Sequence, residues 1–235
     1  MLTNEERDRQ LSSLLGEIRL GVERTLVLLS TNPSAPTSTP PPAKAESSPS
    51  VPPTSADSVP KLAWGKKVGV DFKKFVIQMA KDFEAPGVPA DPNWYMACMA
   101  FETRETFSPS IRNPGSTAVG LIQFLEKTAQ SLGTTTAKLA AMDRMRQLEY
   151  VWLYFRNFIR DTGKRPLSLE DVYMVIHWPA AVGKPNSATM YTKGTSAYRV
   201  NAGLDINKDG IITKEEAGRL VRAKLTKGMQ EEYFG

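Results

Sequence analysis

The chain has one cysteine and one histidine in 235 residues, and each scarcity removes a class of chemistry. A lone thiol, Cys98, forms no intrachain disulfide, and its place inside an apolar run marks a buried, inert side chain rather than a nucleophile. A lone imidazole, His177, builds no His-rich zinc site, so zinc peptidase chemistry is excluded. No transmembrane span is expected, because the N-terminal amphipathic stretch carries charges in its interior, and its start, MLTNEERDRQ, is too acidic for an ordinary secretory leader. No basic stripe interleaved with aromatics occurs. The formal net charge of +5 therefore points to a polyanionic partner other than nucleic acid.

What is present divides into three parts. Residues 31–60 are nearly all Ser, Thr, Pro and Ala, a composition that buries too little apolar area to offset its ordering entropy, so it is expected to be a semi-extended tether. Upstream, in residues 1–30, Leu11, Leu15, Ile18, Val22, Thr25 and Leu29 alternate in steps of four and three, a heptad seam interrupted at Thr25. A helix of this kind is expected to self-associate or to dock on a larger assembly; the alternative is that it folds back on the downstream domain. Residues 61–235 carry helical periodicity, with amphipathic segments at 70–83 and 143–159 and a helix capped by Ser168. Strand pattern is confined to a short hairpin expected near 190–200. An all-α fold is expected.

The candidate chemistry lies between Met99 and Phe124. Residues 94–102 are apolar on nearly every face and end in Glu102, so a buried helix delivers a carboxyl at its C-terminal end. Desolvation and the negative end of the helix dipole both disfavour the carboxylate, the condition for an acid that keeps its proton near neutral pH. The plainer alternative is an ion pair with Arg104. Beyond Glu102, Pro109, Pro114, Gly115 and Gly120 force the chain to turn back, and Gly-Leu-Ile-Gln-Phe (120–124) is expected to open the next helix, 121–133. Gln123 offers a donor and an acceptor to a sugar amide or hydroxyl.

The order of these residues, an acid followed by Thr, then Phe107-Ser108-Pro109, a loop Ser116 and Gly-Leu-x-Gln, resembles the lytic transglycosylases of the goose-type-lysozyme-like fold, particularly those carried in tailed-phage particles. The likeness covers about residues 90 to 230. It implies a lysozyme-like helical domain in which Glu102 is the sole catalytic acid/base, with Ser116 and Gln123 binding the glycan. The sequence departs from the family in two places. The usual Glu-Ser is Glu102-Thr103, and a longer spacing to Phe107 lets Glu105 compete for the role. The family's Tyr-Asn-x-Gly is replaced either by 176–180, which contain His177, or by Tyr198 with Asn201-Ala202-Gly203. His177 is a helix-end histidine or a glycan contact.

Residues 205–216, DINKDGIITKEE, match the calcium loop of an EF-hand. Asp205, Asn207 and Asp209 alternate, Gly210 makes the sharp turn, Ile211 supplies a carbonyl, Ile212 is the apolar eighth residue and Glu216 is the twelfth. The preceding segment is a poor entering helix, so a solitary structural Ca2+ loop is expected, pinning the C-terminal segment and Tyr198.

Three readings follow. The first is a transglycosylase that cleaves peptidoglycan glycan strands between N-acetylmuramic acid and N-acetylglucosamine to leave 1,6-anhydro ends, carried on a virion and acting in the periplasm and cell wall. Its close neighbour is a hydrolytic muramidase in which Glu105 or Asp143 activates water. The others are a non-catalytic calcium-dependent wall-binding module, and a structural assembly protein whose working part is the N-terminal helix.

Overall fold

The computed structural model of the chain describes residues 59–113 and 116–235. The expected N-terminal helix and all but the end of the 31–60 tether lie outside the described residues, as do Pro114 and Gly115. From Val59 the chain forms one compact unit.

Helix α1 (Val70–Asp82) buries Phe72, Val76, Met79 and Ala80, the spacing of a single helical face. Helix α2 (Pro92–Glu102) begins where Asp91 accepts the Asn93 amide at 2.8 Å, with Pro92 at a position whose missing N–H costs nothing. Tyr95 through Ala100 are all buried, so α2 is apolar on every side because it is packed on every side. Two short helices follow, α3 (Glu126–Ser131) and α4 (Thr136–Ala141), then the long α5 (Arg144–Thr162), capped by Asp143 through the Arg146 amide. Helix α6 (Leu169–His177) starts at Ser168, whose hydroxyl accepts the Asp171 amide at 3.1 Å.

Strand β1 (Thr189–Thr192) leads into α7 (Ser196–Asn201), and β2 (Ile211–Thr213) into the C-terminal α8 (Lys214–Gly228). Helix α2 is the hub, packing against α1, α6 and α8. The α6–α8 contact is locked by a buried ion pair, Lys214 Nζ to Asp171 at 2.5 Å. Asp171 also accepts the Gly183 amide at 3.0 Å. Such a pair adds little over an apolar substitute, but losing one partner strands a buried charge at a cost of about 3–5 kcal/mol.

Among the described residues the fold is thus predominantly helical with one two-stranded sheet. Two local expectations fail. Residues 120–123 form a turn rather than the start of a helix, because Gly120 (φ 79°) and Gln123 (φ 52°) occupy the left-handed region, and α3 begins only at Glu126. The hairpin expected within 190–200 does not form, because Thr195 caps α7 by accepting the Tyr198 amide; β1 pairs antiparallel with β2, inside the EF-hand-like loop.

Candidate active site

Helix α2 ends in a Schellman motif, with Glu102 as its last helical residue. The Glu105 amide reaches back to the Ala100 carbonyl at 2.7 Å and the Arg104 amide to Phe101 at 3.2 Å, while Arg104 (φ 51°) takes the left-handed position usually given to glycine. Thr103, wholly buried, bonds the Met99 carbonyl at 2.6 Å and accepts the Phe107 amide at 3.0 Å. It therefore serves as the internal cap that turns the chain away behind Glu102. Of the non-glycine described residues with positive φ, Arg104, Glu105, Phe107 and Gln123 all belong to this one region, and only Trp64 and Lys208 lie elsewhere. Strain gathered in this way is characteristic of functional sites.

The Glu102 side chain is partly buried, and among the described residues it makes no hydrogen bond or ion pair, with Arg104 or any other group. Loss of water pushes its pKa up to about 8. Its charge is felt by Cys98, one turn back on the same helix, and by Tyr173 of α6. Cys98 is itself buried, with its thiol pushed up by burial, which matches an inert core side chain.

Glu105 has the opposite environment. Its carboxylate is clamped by Lys224 at 2.5 Å and Lys227 at 2.7 Å, both on α8. Burial raises its pKa, but the two ammonium groups outweigh this and hold it below the ordinary carboxylate range.

The Gly-Leu-Ile-Gln turn is bound to the loop that follows Glu102. Val119 pairs with both Arg112 and Phe124 in isolated bridges, and the Gly120 amide donates to Ile111 at 2.9 Å. Gln123 donates its side-chain amide to the Gly120 carbonyl at 3.1 Å and to Ile111 at 3.3 Å, so its nitrogen holds the turn together. Ser116 is exposed, and its hydroxyl accepts the Ala118 amide at 3.1 Å.

Gln147 of α5 secures the whole assembly. Fully buried, it accepts the Leu121 amide at 2.7 Å and donates to Pro109 at 2.9 Å and Leu139 at 2.8 Å. A Cβ on Gly120 would lie 2.2 Å from the Gln147 amide oxygen, so glycine is required there both for its φ and for this approach. Gln147 escaped the sequence reading; the one clue was a polar residue beside Leu148 on the apolar stripe of α5.

An aromatic series begins beside Glu102. Phe101 meets Tyr173 edge-on at 5.6 Å, Tyr173 stacks on His177 at 5.2 Å and 8°, and His177 meets Tyr191 at 6.0 Å. Tyr191 also stacks on Trp178 at 5.5 Å, and its hydroxyl lies 3.2 Å from His177 Nε2. Burial lowers the His177 pKa, so the ring is neutral near pH 7. Tyr191 and Tyr173 went unnoticed in the sequence because each looks like an ordinary core aromatic.

Tyr198 stands apart from this series. Its hydroxyl donates to Asp205 at 2.5 Å, which ties α7 to the EF-hand-like loop. In that loop Asp205 accepts the Gly210 amide at 3.0 Å, Asn207 accepts that of Asp209 at 2.9 Å, Asp209 accepts that of Ile211 at 2.7 Å, and Glu216 closes a capping box with Thr213. Among the described residues no three acid, His or Cys side chains converge as a metal cage. One atom is left over. Asp205 is 8 % exposed and its Oδ1 is buried without a partner, an orphan acceptor at the first ligand position of the motif. The donor set, all hard oxygens, fits calcium.

A cavity of about 480 Å³ lies between α1 and α5, lined by Phe75, Met79, Tyr150 and Trp152 among others, and contains none of these candidates. Comparison with protein-family models, with curated proteins and with solved structures gave no match.

Proposed function

We propose that the chain is a lysozyme-like peptidoglycan lytic transglycosylase with Glu102 as its single acid/base. The observation that supports the reading is a desolvated carboxyl without a described partner at the end of a buried helix, its pKa pushed up to about 8, followed by a strained loop that is bonded to a Gly-Leu-x-Gln turn. Protonated Glu102 gives its proton to the glycosidic oxygen as the bond to the anomeric carbon breaks. The resulting carboxylate then takes the proton of the same sugar's C6 hydroxyl as that oxygen attacks the anomeric carbon. The net change is a 1,6-anhydro end and a free hydroxyl, with Glu102 reprotonated. Because the nucleophile is tethered, no water has to be recruited and ordered.

Direct hydrolysis fits less well. Glu105 is held by two lysines, and Asp143 accepts the Arg146 amide at the start of α5, so both candidate water activators have other work. Gln123, Ser116 and the His177 wall would contact the aminosugar strand. Asp205, Asn207, Asp209, the Ile211 carbonyl and Glu216 would hold a structural Ca2+. The N-terminal heptad helix and its tether support attachment to a virion or another assembly, with action on the cell wall. Mass spectrometry of digested sacculi decides the reaction. Anhydro ends are expected; reducing ends, heavier by one water, would make the chain a muramidase, and intact strands would make it a binder.

A further inference from the structure

The EF-hand-like loop and the aromatic wall share one small sheet. Strand β2 is made of loop positions seven to nine: Ile211, whose carbonyl is a ligand position of the motif, buried Ile212, and Thr213. In an EF-hand pair this strand would face a second calcium loop; here it faces β1, with Ile212 opposite Tyr191. The register steps from Thr189–Thr213 to Tyr191–Ile212, so β1 has an extra residue at Met190, a bulge of the kind that re-aims side chains beside functional sites. Two backbone bonds extend the grip on either side, Lys193 to the Gly210 carbonyl at 2.7 Å and Lys214 to Ala188 at 3.0 Å. Met190 turns into the core, and Tyr191 turns toward His177 and Trp178.

We infer that Tyr191 is a positioning residue of the aromatic wall, set in place by cation occupancy of the 205–216 loop through β2 and β1. The inference rests on the transglycosylase reading only in naming an aminosugar strand as what the wall meets; the coupling itself is independent of it. Oxygen ligation at Ile211 fixes the backbone of β2, and the ladder passes that order to β1. Tyr191 is thereby held with its ring on Trp178 and its hydroxyl on His177. Tyr198, bonded to Asp205, belongs to the metal side of this linkage rather than to the glycan.

His177 is the only histidine, so its ring proton resonances report on the wall without ambiguity. The full chain, freed of metal, is titrated with calcium chloride while these resonances and the heat of binding are followed. A saturable His177 shift whose midpoint matches the calorimetric one is expected. Tyr191→Phe should keep the heat and lose more than half of the shift, and the Asp205→Asn variant, checked for fold by circular dichroism, should lose both. Heat without a His177 shift, a shift undiminished in Tyr191→Phe, or no heat in the parent chain would each overturn the inference. Because none of these measurements involves turnover, they stand apart from failure of the enzyme reading, which sacculus digestion tests.

Discussion

The C-terminal end of α2 and the 205–216 loop each hold a carboxyl withdrawn from water, yet they treat it in opposite ways. Around Glu102 burial removes water and no described group donates to it, so its pKa rises to about 8. Around Asp205 the Tyr198 hydroxyl donates to the carboxylate and, against the effect of burial, it and the Gly210, Lys208 and Asp209 amides lower its pKa, while Oδ1 has no partner at full hydrogen-bond geometry. One site stores a proton; the other stores a negative charge with a vacant lone pair. Residue type says nothing about which occurs, and the supply of donors decides it.

The strongest way to break this contrast is at Glu102. Glu102→Gln keeps the shape and removes the proton, and turnover of sacculi should fall at least about a thousandfold, the upper range for a general acid, with the circular dichroism spectrum unchanged. In the parent chain the rate should decline as pH rises through about 8, where the stored proton is lost. A variant as active as the parent would remove Glu102 from the mechanism.

Next in size is the turn bonded to the loop that follows the acid. Gly120→Ala must place a Cβ into the Gln147 amide at a positive φ, so it should destabilise the domain by about 2–4 kcal/mol, seen as a lower urea midpoint. Gln147→Ala, which orphans the Leu121 amide, should itself destabilise, and the double variant should lose less than the sum of the two because the clash partner is gone.

These residues show how far the sequence could be followed. The helices at 70–83, 94–102, 143–159 and after Ser168 were legible because their burial is periodic or complete, and the last three start at an Asp or Ser cap, whereas the first starts at Gly69 without one. Glu102 was legible as an acid ending an apolar run. The Gly-Leu-Ile-Gln turn was not, because the left-handed Gln123 is held by its own bond back to Gly120 and by a bond to Ile111 in the preceding loop, which the helical pattern of 121–133 does not reveal. The β1–β2 pairing was missed for a similar reason: eighteen residues separate the strands, and the partner was hidden within a metal motif. Glu105 reads in the sequence as a rival acid, and its two lysine partners on α8 could not be seen there.

Storing a proton also has a thermodynamic signature. The Glu102 pKa is about 8 in the folded chain against an ordinary 4.5, so its contribution is fully favourable below pH 4.5 and is lost as pH rises toward 8. At pH 7 the loss is about 3 kcal/mol, and Glu102→Gln should melt higher than the parent there, with the difference vanishing near pH 4. Equal melting at both pH values would mean that Glu102 is not desolvated. On the opposite side of the comparison, saturating calcium should stabilise the domain by about 2 kcal/mol, or about 4–8 °C, and chelation should reverse it; an unmoved melting curve would leave Asp205 Oδ1 without its cation.

The smallest expected effect sharpens the contrast most, because it concerns a carboxylate only three residues from Glu102. Glu105 is partly exposed and its lysine partners more so, which leaves each ion pair weak after screening by solvent. Its depressed pKa gives stability that is present above the ordinary carboxylate range and is lost as pH falls through the folded value. Glu105→Gln should therefore melt slightly lower at neutral pH, converge with the parent in acid, and keep its turnover and its decline above pH 8. If instead turnover collapses while the melting point holds, the acid is Glu105 and the two lysines are its tuning partners, and the proton stored on Glu102 is a by-product of packing.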